Sequence, residues 1–119
     1  DHPVTHVSYH DATAYCAWRS SHDSLTLPRG LTRLPTEPEW ERASRGSKSG
    51  RVYPWGNVEL PQGVYRANYF QGTFPDSDSG LDGHVGTSPR GSYPAQNSLG
   101  LRDMVGNVWE WTSTKGGDG

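Results

Sequence analysis

The sequence has no isoleucine, only two phenylalanines, and a single cysteine among its 119 residues. Leu, Val and Phe together supply 18 residues (8, 8 and 2), short of the ~20% aliphatic and Phe content of ordinary globular chains. A lone Cys16 excludes an intrachain disulfide and a cysteine-based zinc site within these residues. No apolar run approaches the ~18–20 residues of a membrane span. Neither sign of charge dominates, with 11 basic and 13 acidic side chains giving a net charge of −2. That balance argues against nucleic acid or an anionic membrane as partner, and against charge-driven disorder. Phosphate-binding and dinucleotide-binding glycine motifs, a nucleophile elbow, N-glycosylation sequons, internal repeats and low-complexity tracts are all missing. The Asp1-His2-Pro3 start, without Met or a leader, reads as a processed or excerpted chain.

What is present is aromatic and turn-forming. Five Trp and six Tyr, each able to bury roughly 150–250 Å², replace the missing aliphatics. Fifteen Gly and nine Pro predict a loop-rich fold held by aromatic anchors, in one domain at most.

Two helices are expected. Ser8 with Asp11 forms a capping pattern that opens a helix running to about Ser20, with Ala12, Tyr15, Cys16, Arg19, Ala14 and Trp18 on its packed side. Thr36 with Glu39 opens a second, about Glu37 to Arg45, with Pro38 in its first turn and Gly46 at its end. Its Trp40 and Ala43 should face inward, and Glu41 and Arg42 outward. His2 to Val7 reads as a short strand, and Ser20 to Thr32 as a surface loop. From Gly46 to Gly100 there is little periodicity, only strand-like pieces (Arg51 to Tyr53, Val64 to Tyr69) between turns such as Pro54-Trp55-Gly56-Asn57. Irregular stretches of that length usually carry function or a structural ion.

The segment Gly106-Asn107-Val108-Trp109-Glu110-Trp111-Thr112 sets a carboxylate between two indoles. In an extended segment both tryptophans share one face and Glu110 the other, so a cation or an arginine is expected opposite Glu110. Calcium suits the oxygen-rich loops nearby; the plain alternative is a half-exposed strand with Glu110 in solvent. Asn68, Asp82, Asp103 and Glu110 offer hard oxygen ligands, although long loops nearly always contain acids. Asp76, Asp78 and Asp82 begin like a calcium loop, but Leu81 and Thr87 stand where Gly and Glu are required. His2, His6 and His10 would share a strand face, but a helix starting near Ser8 turns His10 away, which favours packing histidines over a zinc site.

The order of motifs resembles the formylglycine-generating enzyme (sulfatase-modifying factor) family. Pro3-Val4, Val7-Ser8-Tyr9, Asp11-Ala12, Tyr15-Cys16 and Trp18 look like its opening. Arg33-Leu34-Pro35-Thr36-Glu37, Glu39-Trp40-Glu41, Arg45-Gly46, Tyr53-Pro54-Trp55-Gly56 and Asn68 continue the likeness. Asp82-Gly83, Asn97, Gly100-Leu101, Asp103-Met104 and Val105 to Thr112 complete it. Short pieces such as Leu-Pro-Thr-Glu are unspecific; the ordered series is not.

The resemblance implies an α+β fold with little regular structure, related to C-type lectin domains. It implies an oxygen-dependent oxidoreductase that converts the cysteine of a Cys-x-Pro-x-Arg motif in unfolded sulfatase polypeptides to Cα-formylglycine. Catalytic members hold copper between two cysteines that follow the segment matching Glu110-Trp111-Thr112. With no second thiol, this chain alone is expected to be catalytically silent, as part of an enzyme or as a non-catalytic, lectin-like paralogue. The resemblance pairs Cys16 with a cysteine in the remaining C-terminal part of the domain. Ser44 replaces a cysteine of the vertebrate enzyme, and the Ser20–Thr32 connection is longer than usual. Two structural calcium sites carry over: Asn68, Tyr69, Asp82 and His84; and Asp103, Gly106, Val108 and Glu110. Tyr69, His84, Gly106 and Val108 would bind through backbone carbonyls. Asp103, where Asn is frequent, would strengthen its site. The implied location is the secretory pathway (endoplasmic reticulum) for a eukaryotic source and the cytoplasm for a bacterial one.

Overall fold

A computed structural model describes residues 1–22 and 31–116. The middle of the expected Ser20–Thr32 loop therefore lies outside the described residues. Contacts divide the chain into two compact units, Asp1–Pro3 with Glu41–Trp109, and Val4–Trp40 with Glu110–Gly119.

The second unit carries α1 (Tyr9–His22). Ser8 caps it as the sequence suggests. Its N–H and hydroxyl donate to Asp11 Oδ2 at 2.8 and 2.7 Å, and the Asp11 N–H returns to Ser8 Oγ at 3.2 Å. These bonds hold the Asp11 carboxyl below its ordinary range. The helix runs two residues past Ser20; in its last turn Ser20 Oγ donates back to Cys16 O and Ser21 Oγ to Trp18 O. The packed face differs from expectation. Ala12, Thr13, Cys16 and Ser20 are half-buried, while Tyr15 and Trp18 are each 53% exposed.

The boundary between the units falls inside α2 (Glu37–Arg45), whose limits match the sequence reading. At its start Glu39 accepts from the Thr36 N–H at 2.8 Å and from both terminal nitrogens of Arg33, at 2.7 and 2.6 Å. Arg33 first, then the Thr36 N–H, depress the Glu39 carboxyl to about 2. At its end Gly46 takes φ +70° and donates to Arg42 O, the left-handed stop that glycine permits.

Regular structure in the first unit is scant. β1 (Gly72–Thr73) and β2 (Ser77–Asp78) pair antiparallel, Gly72 opposite Asp78. A Cβ at Gly72 would strike the Ser77 carbonyl, so the hairpin needs glycine there. A bridge between Tyr53 and Gly56 closes the expected Pro54-Trp55-Gly56-Asn57 turn, with Tyr53 and Trp55 stacked 5.2 Å apart. Four expected strand-like stretches do not form, and of Arg51 to Tyr53 only the Tyr53 bridge remains. His6 at φ +59° breaks the run from His2 to Val7. Val64 to Tyr69 is irregular, and Gly106 and Asn107, at φ +88° and +63°, prevent an extended Gly106–Thr112.

The buried side chains of the first unit are mostly polar: Ser44, Asn68, Ser88 and Gln96 accompany Ala67 and Tyr93. Amides do the work of missing ladders. Gln96 donates to Arg66 O and Val105 O and accepts from the Val105 N–H, at 3.1, 2.9 and 2.9 Å. Asn97 donates to the Ala43 and Ser44 carbonyls at the end of α2, at 2.7 and 2.8 Å. The mixed helix-and-hairpin composition with little regular structure is α+β, as expected.

Candidate metal centre

Asp82 gathers the residues expected for the first calcium site. Its Oδ2 accepts from the Tyr69 N–H at 2.9 Å and its Oδ1 from the His84 N–H at 3.0 Å. Its own N–H donates to Gln71 Oε1, and its carbonyl accepts from the Tyr93 hydroxyl. Asn68, next in the chain to Tyr69, is 3% exposed. Its amide donates to Gly86 O at 2.8 Å and, more distantly, to Asn107 Oδ1 at 3.4 Å. An ionised carboxylate offers about four acceptor positions, and two peptide N–H groups leave the Asp82 oxygens capacity for a cation. This all-oxygen donor set fits calcium.

Of the second set, Asp103, Gly106 and Val108 belong to the first unit and Glu110 to the second. Asp103, at φ +55°, accepts from the Gly91 N–H at 2.9 Å. A Cβ at Gly106 would run into the Asn68 carbonyl oxygen, so glycine is required for that approach. Burial, then the negative charges of Asp82 and Asp103, push the Tyr93 hydroxyl up to about 12. Both carboxylates thus act on one buried phenol.

Glu110 corrects the sequence reading. It is exposed, Trp109 is 102% exposed, and Trp111 is half out. The carboxylate is therefore not enclosed by rings. It accepts from the Trp40 indole N–H at 2.6 Å. Trp111 instead donates to Val7 O and meets Tyr9 edge-on at 6.0 Å.

Other candidates fall away. His2 bonds the Thr87 hydroxyl, His6 bonds Thr5, and His10 lies edge-on to Tyr9 within α1. Among the described residues no three of His, Cys, Asp and Glu gather into a metal-holding group. Asp78 caps its own turn, accepting from the Gln71 and Gly80 N–H groups. Cys16 is a free, half-buried thiol.

Sequence reasoning missed Asn107. Its Oδ1 accepts from the Ser88 N–H at 3.0 Å, its Nδ2 donates to Ser88 O at 3.2 Å, and its N–H donates to Asn68 O at 2.7 Å. A Gly-Asn pair is a turn signal that pointed to positive φ here.

Residues 1–117 match the model of the sulfatase-modifying factor enzyme 1-like domain. The chain belongs to that family. It is 51% identical to the inactive C-alpha-formylglycine-generating enzyme 2 of Bos taurus, over 95% of this chain and 33% of that protein. It is 49% identical to the formylglycine-generating enzyme of Mus musculus (95% of this chain, 27% of that one). It is 48% identical to that of Thermomonospora curvata (93% and 33%). The chain thus spans a third or less of the length of these relatives.

Proposed function

We propose that this chain is part of a formylglycine-generating enzyme, which uses oxygen to turn the cysteine of a Cys-x-Pro-x-Arg motif in an unfolded sulfatase polypeptide into Cα-formylglycine. The observation that carries this is the family match across residues 1–117, with near-half identity to relatives named for that activity. The copper of catalytic members, held by two cysteines, does not fit these residues, because Cys16 stands alone. The catalytic cysteines of this reading lie outside the chain, and no step of the chemistry is assigned to its residues. What the chain supplies is a scaffold related to C-type lectin domains. It is stiffened by calcium at Asn68, Tyr69, Asp82 and His84, and at Asp103, Gly106, Val108 and Glu110. Cys16 would pair with a thiol of the remaining domain in a secretory setting and stay a reduced, shielded thiol in a cytoplasmic one.

A second reading is a non-catalytic paralogue that binds sulfatases: the chain is as similar to a relative named as inactive, at 51% identity, as to those named for the activity, at 49% and 48%. Mass spectrometry of a Cys-x-Pro-x-Arg peptide incubated with the full-length protein and copper separates the two. The enzyme reading expects the thiol to be replaced by an aldehyde. Peptide binding without conversion overturns it in favour of the paralogue. The 119-residue chain alone should leave the peptide unchanged.

Calcium is tested separately. An ion that binds only the folded state adds about 2.7 kcal/mol at a hundredfold excess over its dissociation constant. Chelation should therefore lower the melting temperature by several degrees. Glu110→Gln should remove part of that gain in calcium and change little in chelator. A melting temperature indifferent to chelation overturns the calcium reading.

A further inference from the structure

We propose that Asp82-Gly83 is a latent isoaspartate site, a modification position that hydrogen bonds to Asp82 hold shut, with the Tyr93 hydroxyl as one latch. The sequence has two Asp-Gly pairs, Asp82-Gly83 and Asp118-Gly119, and only the first lies among the described residues. In such a pair the glycine nitrogen attacks the aspartyl Cγ. The N–Cγ bond forms, the bond from Cγ to its hydroxyl breaks, and that hydroxyl leaves with the amide proton as water. Water then opens the five-membered succinimide at either carbonyl, returning aspartate or giving isoaspartate, so no oxidant or other reactant is needed. Glycine favours the attack because no side chain shields its nitrogen. Beyond its chain neighbours, nothing lies within 4 Å of the point where a Cβ at Gly83 would stand, and the residue is exposed. Steric crowding therefore does not protect this bond.

Hydrogen bonds within the first unit protect it instead. Asp82 Oδ2 accepts from the Tyr69 N–H at 2.9 Å and Oδ1 from the His84 N–H at 3.0 Å. The Asp82 N–H donates to Gln71 Oε1 at 3.1 Å, and the Asp82 carbonyl accepts from the buried Tyr93 hydroxyl at 3.0 Å. The attacking nitrogen is held as well, since the Gly83 N–H donates to Gly80 O at 3.0 Å. Ring closure has to turn the carboxyl towards Gly83 and rotate the peptide between the two residues. The first movement takes the acceptor from Tyr69 and His84. The second draws the Asp82 carbonyl off Tyr93 and the Gly83 N–H off Gly80. The reaction thus waits for the loop to open, and its rate scales with the open population. Isoaspartate routes the main chain through Cβ and Cγ, which lengthens it by one carbon and leaves a bare α-carboxylate. The acceptor shared by Tyr69 and His84 is then lost. The inference stands on these bonds and not on the calcium reading.

The test uses the full-length protein in chelator near neutral pH. Isoaspartate at residue 82 is quantified by peptide mapping with electron-transfer fragmentation, and a synthetic peptide of residues 79–86 is the reference. The peptide should accumulate isoaspartate steadily, and the folded protein at least about a hundredfold more slowly. Tyr93→Phe deletes one bond to Asp82 and should raise the folded rate about fivefold. Hydrogen exchange separates a latch from general loosening. In Tyr93→Phe the Gly83 N–H should exchange faster by the same factor, while the Val105 N–H, bonded to Gln96, should not change. In the native protein, low urea should raise Gly83 exchange and isoaspartate in parallel.

An unreactive peptide overturns the site, and a folded protein that reacts within about threefold of the peptide overturns the lock. A folded Tyr93→Phe with native rates, or with equal gains at Gly83 and Val105, overturns the latch. Should Tyr93→Phe fail to fold, the urea series decides alone. Parallel rises support the lock, and isoaspartate indifferent to Gly83 exchange overturns it.

Discussion

The two units of this chain solve the same shortage of aliphatic residues differently. In the first, Asn68, Ser88 and Gln96 lie buried with Ala67 and Tyr93, and side-chain amides meet peptide groups that no strand satisfies. In the second, no described residue is fully buried, and order comes from helix ends: Ser8 with Asp11, Thr36 and Arg33 with Glu39. A hydrogen bond between a buried amide and a peptide group contributes only about 1 kcal/mol net, yet its loss strands partners that water cannot reach. A capped, exposed helix end loses less, because water replaces the cap. The first unit should be brittle and specific, the second tolerant.

The strongest attempt to break that contrast is Gln96→Leu. The side chain is 1% exposed and serves Arg66 O, Val105 O and the Val105 N–H. Leucine fills similar space and serves none of them. At about 1–3 kcal/mol for each orphaned group, the cost is expected to be about 3–5 kcal/mol by urea unfolding. A loss below about 1 kcal/mol would mean that water enters and that the amides are dispensable.

The same contrast explains what the sequence disclosed. Both helices were legible because capping is local: Ser8, Asp11, Thr36 and Glu39 act on residues three positions away. The paired residues of the first unit are distant in sequence. Nothing near Asn97 announces that it serves the end of α2, and nothing near Gln96 names Val105 and Arg66 as partners. Two of the strand predictions failed where single residues take positive φ, at His6 and at Gly106 and Asn107, which alternation of apolar residues cannot reveal. Asn68 and Asp82 stand out in the sequence as hard oxygen ligands, Tyr69 and His84 join them only through the family resemblance, and the Asp82 carboxylate that Tyr69 and His84 share is visible only in the fold.

The second unit is sharpened by acid. Glu39 falls from an ordinary 4.5 to about 2 through Arg33 and the Thr36 N–H. A depressed carboxyl stabilises the fold fully above its unfolded value and loses that contribution as pH falls from about 4.5 towards about 2. The start of α2 should therefore loosen across that window. In a carboxyl-detected NMR titration Glu39 should have its midpoint near the lower limit, rising when Arg33 is replaced by Gln. Glu39→Gln should flatten the acid dependence of α2 while leaving stability near neutral pH only modestly lower, because this exposed cap is screened by solvent. An ordinary Glu39 midpoint would show that the Arg33 fork is not held in solution.

The smallest effect is expected at Trp18, and its smallness is the point. The indole stacks on His22 at 4.7 Å and leans on Tyr15 at 5.7 Å, yet it is 53% exposed. Ring pairs add about 0.5–1.5 kcal/mol beyond the area they bury, and half of this area stays in water. The last turn of α1 keeps its side-chain bonds whatever stands at position 18, since Ser20 and Ser21 donate to the main-chain carbonyls of Cys16 and Trp18. Trp18→Ala should thus cost the 119-residue chain less than about 1 kcal/mol, measured by helix loss in circular dichroism. The informative control is the same substitution in the full-length protein. An equally small cost there keeps the second unit tolerant by construction. A cost above about 2 kcal/mol, the scale of a buried aromatic, would mean that the exposed rings of α1 are covered by further polypeptide, and that the tolerance belongs only to the isolated chain.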